Sequence, residues 1–313
     1  MAENQKSVGL KVALPNGSLE EGTLSLFEEA NLNICKSQRR HAARIDNPLI
    51  SQATFMRPQH IPRLVAQGTY DVGICGLDCV EESEASVVRV AELPYGRGAS
   101  NGAAKVVLVA STEDPAKAIE QVEGGSVVLS EYPNITRRAF ALHQSIDIRF
   151  SYGGTEAHIP GDYRYGVCLT DTGASLTANG LKVIAELLTT CTTLIANMDA
   201  HHTHGKLATG EDEIYNGPRL NEIMTLKHLL TGTLEARARV FLIMNVSAER
   251  KDRLLQQLPA LKTPTITSLS GGRYFSVGAA VRISELNQLI PRLFEHGAED
   301  LIQMPVSKVI KKW

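Results

Sequence analysis

The sequence predicts an α/β chain built as two blocks, followed by a smaller domain with a different pattern. Over residues 10–196, short apolar strand-like runs alternate with helical segments, which implies parallel sheets with covered faces. The alternation breaks at residues 94–102, so two blocks would flank a cleft. The tail reads strand, helix, strand, strand, helix, strand, the split order of a ferredoxin-like unit.

In chain order, residues 10–14 form a strand-like run ending in Pro15-Asn16-Gly17, and Ser18 with Glu21 makes a capping-box pair that opens a helix through residue 30. Residues 55–59 lead to Ile61-Pro62, a proline suited to a first helical turn, with Gly68 as the stop. Residues 71–75 are a buried-looking strand ending at Gly76. Asp78 follows at its carboxyl end, where ligands gather in open α/β sheets.

Strand, helix and strand follow over residues 105–110, 115–122 and 126–129. Glu131-Tyr132-Pro133-Asn134-Ile135-Thr136-Arg137-Arg138 then opens a helix with Asn134 or Thr136 as cap. Two arginines in its first turn would oppose the macrodipole unless an anion stands near. A strand at 146–150 precedes Gly153-Gly154-Thr155-Glu156, a flexible turn holding one acid. Strands at 182–188 and 193–196 and a helix over 213–234 complete this part, and His201-His202-Thr203-His204 reads as a solvent loop.

The tail carries strands at 239–246, 265–269, 274–281 and 300–304. Ser247 is the expected cap of a helix bearing Leu254, Leu255 and Leu258, and Ser270-Gly271-Gly272-Arg273 is a hairpin turn. Leu286, Leu289, Ile290, Leu293 and Phe294 share one helical face, with Gly297 as stop and Pro291 predicting a kink or a late start. The tail has no set of acid, base and nucleophile, so it reads as regulatory or oligomeric.

The chemistry concentrates at residues 169–181, LTDTGASLTANGL. Strand, tight turn and helix start make an anion site, because unpaired N–H groups and the positive helix end point at one spot. Thr172 and Ser175 add hydroxyl donors, and Gly173 lets backbone approach a ligand. Asp171 would repel phosphate but would accept hydrogen bonds from sugar hydroxyls, which suggests a ribose 5-phosphate. The same pattern also reads as an N-capped helix after a loop.

Composition narrows the classes. The chain has 313 residues, 43% hydrophobic and 21% charged, with net charge −2, so no basic surplus points to nucleic acid. Five scattered cysteines fit buried free thiols in a reducing compartment, and Cys75 with Cys79 lacks a second pair for zinc. No apolar leader or bilayer-length run is present, so a cytoplasmic protein without membrane contact is expected.

Several segments together resemble one family, the long form of ATP phosphoribosyltransferase. TDTGASLTANGL is similar to its phosphoribosyl-pyrophosphate loop, ETGxTLxANGL, and LPNGSL to its PKGxL segment. RPQHIPRLVAQGTYDVGICGLD resembles RxxDIPxxVxxGxxDxGITGxD, EYPNITRR resembles EYPNLTRR, and GGTEAHIP resembles GSVExAP. PALKTPTITSL and GAEDLIQMPVSKVI match the long-form tail. Departures are Asn16 for the lysine of PKGxL, His60 for the acid of RxxD, and Tyr165, Gly166 and Cys168 for the acids of an upstream ADAIxD segment.

The resemblance implies two cleft-forming α/β domains like type II periplasmic binding proteins, residues 1–102 with 194–234 and residues 103–193, plus a ferredoxin-like regulatory domain at 235–313. It implies a reaction joining adenine N1 of ATP to C1 of phosphoribosyl pyrophosphate, with Mg²⁺-bound pyrophosphate leaving. Asp171, Thr172, Gly173, Ala174, Ser175 and Leu176 would hold the phosphoribosyl group, Asp171 on the ribose hydroxyls. Arg57, Lys105 and Arg137 are candidates for phosphate charge, with Asp171, Arg57 and Lys105 as the catalytic set. Asn16, Gly17, Asp78, Asn134 and Glu156 complete the ATP or pyrophosphate candidates, while the metal ligands stay open. Dimers assembling to hexamers and feedback by histidine through the tail, with Thr265 as a contact, are further implications.

The missing GxxxxGKS/T loop agrees with ATP acting as a nucleophile through its base. A non-catalytic two-domain binding module with an amino-acid-sensing tail is the alternative. A nicotinamide dehydrogenase is disfavoured, since no GxGxxG follows the first strand.

Overall fold

One long strand ties the larger part of the molecule together. The computed structural model describes residues 9–36, 42–96, 103–143, 145–201, 218–259, 261 and 263–311. Most of the interruption at 94–102, His202 to His204 of the histidine loop, and the start of the helix expected at 213–234 lie outside them. The chain divides into two compact units, residues 1–227 and 228–313.

The first unit contains β1 (Leu10–Pro15), α1 (Glu20–Glu29), β2 (Ile34–Lys36), β3 (Ala42–Ile45), β4 (Ile50–Met56), α2 (Ile61–Ala66), β5 (Val72–Gly76), α3 (Leu77–Ser83) and β6 (Val88–Glu92). It continues with β7 (Ala103–Ser111), β8 (Val127–Ser130), α4 (Pro133–Ala139), β9 (Asp147–Phe150), β10 (Tyr165–Thr170), α5 (Ala174–Ala178), β11 (Leu181–Ala196) and α6 (Met198–His201). Helix α7 (Leu220–Arg237) runs from the first unit into the second.

The strands form one sheet in the order β2-β3-β4-β1-β5-β11-β7-β10-β8-β9, with β6 also paired to β11. Two stretches expected as separate strands, 182–188 and 193–196, are the single 16-residue β11. Thr189, Thr190, Cys191 and Thr192 bridge them. Their polarity suggested a break, but β-branched residues continue a ladder readily. The last residues of β11 pair with β5 and the earlier ones with β7, antiparallel in both cases.

The expected parallel sheet is therefore mixed. β1 is parallel to β4 and β5, and β8 to β9 and β10, but β10 is antiparallel to β7. Strands β2, β3, β4 and β6 were not predicted. The expected helix at 115–122 is reduced to one 3₁₀ turn, Ile119–Gln121. Asp114 Oδ1 accepts the Ala116 amide at 2.9 Å and Gln121 Oε1 the Lys117 amide at 2.7 Å, so side chains take the amides a helix would use.

At the chain start the capping box does not form. Gly17, at φ +72°, opens a 3₁₀ turn through Leu19, which places Leu19 rather than Ser18 before α1. Helix α4 starts after Tyr132, with neither Asn134 nor Thr136 as cap. It is only seven residues long, so Arg137 and Arg138 fall in its last turn and complement the macrodipole rather than opposing it.

The second unit adds β12 (Arg239–Ser247), α8 (Lys251–Leu255), β13 (Thr265–Ser268), β14 (Tyr274–Arg282), α9 (Leu286–Glu295) and β15 (Ala298–Pro305). Its sheet order, β13-β14-β12-β15, with the two intervening helices is the expected ferredoxin-like arrangement. Alternate residues of β12, Val240, Leu242, Met244 and Val246, are buried with Leu254, Leu289 and Leu293. Gly271 and Gly272 have φ of +90° and +68°, as the β13–β14 turn requires.

Ser247 ends β12 instead of capping α8, whose N-cap is Arg250. Helix α9 begins at Leu286 and runs through Pro291, so a late start does not occur; burial of Leu286, Leu289 and Leu293 outweighs one lost backbone bond. Phe294 points outward, 51% exposed. All five cysteines are free; Cys75, Cys79 and Cys168 are buried, but Cys35 is exposed. Among the described residues no helix is long and apolar enough to cross a membrane.

Candidate functional site

The carboxyl ends of β5 and β10, the turn after β1, the start of β7 and the middle of β11 open on one cavity of about 340 Å³. Strand carboxyl ends gather ligands because the chain turns there and frees backbone groups. Ser18 and Leu19 reach the wall after β1. Gly76, Asp78 and Cys79 reach it after β5, and Thr170, Asp171 and Ser175 after β10. Thr190 and Thr192 of β11 and Tyr132 before α4 close it.

The loop after β10 makes the expected strand, tight turn and helix start, but its amides are not unpaired as the sequence suggested. Gly173 takes φ +74° and is the N-cap of α5, a conformation that strains any side-chain-bearing residue. Its amides are met within the loop. Thr172 N–H donates to Asp171 Oδ1 at 2.6 Å, Gly173 N–H to Thr170 Oγ1 at 3.1 Å, and Ala174 N–H to Thr172 Oγ1 at 3.4 Å. Leu176 is 3% exposed and packs with Val107, Val109 and Cys168, so its side chain anchors the loop on the sheet. Ser175 Oγ donates to Glu156 Oε1 at 2.9 Å, joining this loop to the turn that carries the acid.

Across the cavity, Asp78 is 7% exposed and well supplied with donors. Thr190 Oγ1 donates to its Oδ1 at 2.8 Å, and the Tyr132 hydroxyl to its Oδ2 at 3.2 Å. The Asp78 amide returns a bond to Thr190 Oγ1 at 2.9 Å, and the Cys79 thiol lies 3.5 Å from Oδ2. Burial, reinforced by the Asp78 charge, pushes both the Tyr132 hydroxyl and the Cys79 thiol well above their ordinary ranges. Both therefore stay protonated and act as donors to the carboxylate.

Nearby, burial raises the Glu131 carboxyl; the Glu156 charge adds to this, while hydrogen bonds from Thr155, the hydroxyl at 3.0 Å among them, oppose it. Among the described residues the cavity wall carries three carboxylates, Asp78, Glu156 and Asp171, and no lysine or arginine.

The structure thus brings together Asp78, Glu156, Asp171 and Ser175, which lie far apart in sequence. Thr172, Gly173 and Ala174 shape the loop beside them. Asn16 and Gly17 precede the wall residue Ser18, and exposed Arg57 precedes Pro58 and Gln59 on the wall. Three candidates have other partners. Lys105 Nζ pairs with Glu186 at 2.6 Å. Arg137 donates to Asn134 Oδ1 at 2.6 Å and lines a separate surface depression with Phe140 and Ile146. Asn134 is engaged with Glu82, its amide on the carboxylate and its Nδ2 on the carbonyl.

Sequence reasoning missed Tyr132 and Thr190 as wall residues. Tyr132 stood in a segment read for its arginines, and Thr190 in an apparent gap between strands.

The departures from the family pattern upstream of the loop are core positions. Tyr165 is fully buried and Cys168 is 1% exposed, its thiol pushed up to about 12 chiefly by burial. A Cβ at Gly166 would come within 2.7 Å of Thr155 Cγ2, so the missing side chain lets residues 155–158 pack on β10.

An α/β unit that presents hydroxyls and carboxylates to one cavity beside a glycine-started loop defines a protein with a binding site for a hydroxyl-rich ligand. Comparison with known proteins makes this specific. Residues 57–223 match the family model described as ATP phosphoribosyltransferase, and residues 236–308 the one described as HisG, C-terminal domain. The ATP phosphoribosyltransferase of Pelotomaculum thermopropionicum is 35% identical over 304 residues, covering 96% of this chain and 99% of that protein. That of Desulforudis audaxviator is 34% identical over 303 residues, with the same coverage. A chain of an ATP phosphoribosyl transferase (HisG:HisZ) complex from Thermotoga maritima shares the fold, with TM-score 0.51 and 24% identity over 60% of this chain and 87% of that one. The chain belongs to the ATP phosphoribosyltransferase family and is a transferase of histidine biosynthesis.

Proposed function

We propose that the cavity is where adenine N1 of ATP attacks C1 of 5-phosphoribosyl 1-pyrophosphate, giving phosphoribosyl-ATP and pyrophosphate. The N1–C1 bond forms as the bond from C1 to the pyrophosphate oxygen breaks. The observation that carries this reading is the convergence of the Asp171–Ser175 loop, Glu156 and Asp78 on one cavity. The amides of Thr172, Gly173 and Ala174 and the hydroxyls of Thr172 and Ser175 receive the 5-phosphate, exchanging their present acceptors, in the loop and at Glu156, for phosphate oxygens. Asp171 accepts from the ribose hydroxyls, and Leu176 holds the loop in place.

Asp78, with Oδ1 and Oδ2 oriented by Thr190 and Tyr132, and Glu156 supply further acceptors on the ATP side. Adenine N1 carries a lone pair, so no general base is required, and the barrier falls by orienting two anions. Arg57, exposed and directly before the wall residues Pro58 and Gln59, would meet phosphate charge, whereas Lys105 and Arg137 have other partners.

The three wall carboxylates favour substrates that bring their own cation. Among the described residues no three side chains form a preformed metal cluster, which suits magnesium held largely by phosphates and water. Asp78, Glu156 and Asp171 are the residues that would accept from its waters. When bound, magnesium neutralises charge on the leaving pyrophosphate.

The cleft lies between residues 1–102 with 194–234 and residues 103–193. The ferredoxin-like unit is the proposed seat of histidine inhibition, with Thr265, exposed on the edge strand β13, as a contact. Assembly of dimers into hexamers in the cytoplasm completes the proposal.

Purified chain mixed with ATP, phosphoribosyl pyrophosphate and Mg²⁺ should release pyrophosphate and form an N1-ribosylated adenine nucleotide. Free adenine serving equally well as acceptor would overturn the ATP assignment.

A further inference from the structure

The amino end of α4 is occupied by a side chain from α3. Both carboxylate oxygens of Glu82 accept the Asn134 amide at 3.0 Å, and Oε2 also accepts the Ile135 amide at 3.0 Å. The Glu82 carbonyl accepts Asn134 Nδ2 at 2.8 Å. Arg138 adds bonds to the Glu81 carbonyl and to the Glu84 carboxylate, each at 3.0 Å. A carboxylate on the free amides of a helix start is charge-assisted and meets the positive end of the helix.

Asp78 and Glu82 are four residues apart on α3 and so share a face. That face is pinned to α4 at two points. Glu82 holds the first-turn amides, and the hydroxyl of Tyr132, the residue just before α4, meets Asp78 at 3.2 Å. Asp78 and Tyr132 line the cavity, whereas Glu82 lies off its wall.

We propose that Glu82 is a positioning residue for the reaction: by capping α4 it sets where Tyr132 stands, and through Tyr132 it holds the Asp78 carboxylate in its cavity orientation. The inference rests on the cavity being the reaction site. In this structure the Glu82 carboxylate already satisfies the amides of the EYPNITRR helix start.

The test is a double-mutant cycle of Glu82→Ala with Tyr132→Phe, plus Glu82→Gln, read as kcat and KM for each substrate and as ATP affinity by calorimetry. Glu82→Ala should lower kcat/KM by roughly 5- to 30-fold, a change that corresponds to one or two kcal/mol. Tyr132→Phe should do the same, and the double variant should be no worse than Tyr132→Phe. Glu82→Gln keeps an acceptor oxygen on the amides and should recover part of the loss. Hydrogen exchange at Asn134 and Ile135 should quicken in Glu82→Ala whether or not product forms.

Additive losses in the double variant would overturn the proposal, as would unchanged kinetics alongside quickened exchange. Absence of product from the wild-type chain would count against the transferase reading. The cycle on ATP affinity then decides the role of Glu82 separately, coupling supporting it and additivity refuting it.

Discussion

Replacing Gly173 by valine tests the loop directly, because the structure separates the two ways such a change can act. Gly173 sits at φ +74° with nothing within 4 Å of a built Cβ, so a side chain meets strain from the backbone and none from crowding. That strain is roughly 1–2 kcal/mol for an L-residue in the left-handed region. Gly180, at φ +66° and also in open space, provides the matched control. Valine at either position should cost similar stability in urea titrations.

Only at Gly173 should the loop relieve its strain by disturbing the amides of Thr172 and Ala174, which are proposed to meet the 5-phosphate. If that strain is expressed in binding, the apparent KM for phosphoribosyl pyrophosphate should rise by about 5- to 30-fold. The KM for ATP should move far less. Initial-rate measurements varying each substrate at saturation of the other provide the assay. Equal changes in both KM values, or the same change in Gly180→Val, would refute the assignment and leave the loop a support for the fold.

Further outcomes follow from the surrounding residues. Thr190→Val removes the donor to Asp78 Oδ1 and the acceptor of the Asp78 amide at a buried position, and should lower stability by about 1–3 kcal/mol; unchanged urea midpoints would contradict it. Glu131 has a folded pKa raised above its ordinary 4.5, so the native state binds more protons than the unfolded chain. Its stabilising contribution is full below that value and is lost as pH rises through the folded pKa. Glu131→Gln should therefore flatten the decline of Tm with pH above 4.5, and parallel profiles would refute this. Histidine should inhibit turnover of the full chain, and Thr265→Val should raise the concentration needed; insensitivity of the wild type would remove the regulatory reading of the tail.

How much of this was legible in the sequence varies with how local each feature is. The glycine-started loop, the Gly271-Gly272 hairpin and the strand at 239–246 depend on residues adjacent in the chain, and their backbone agrees with that reading. The ordered family motifs were equally visible, since they need no contact to be recognised.

Features that depend on distant partners were not visible. The helix expected at 115–122 lost its amides to Asp114 and Gln121, a competition that pattern alone does not weigh. The run around Thr190 became mid-strand only because β5 and β7 stood ready to pair with it.

For the site, sequence by itself determined which chemistry was on hand: Asp171 with Ser175, Asp78 and Glu156, each placed by its own turn. Tertiary structure decided which of these meet. It set Asp78 between Thr190 and Tyr132, turned Arg137 away on a short helix, and gave the start of that helix to Glu82. The physical reason is that turns are encoded by backbone angles of neighbouring residues, whereas a carboxylate's partner is whichever donor the packed sheet and helices bring within about 3 Å.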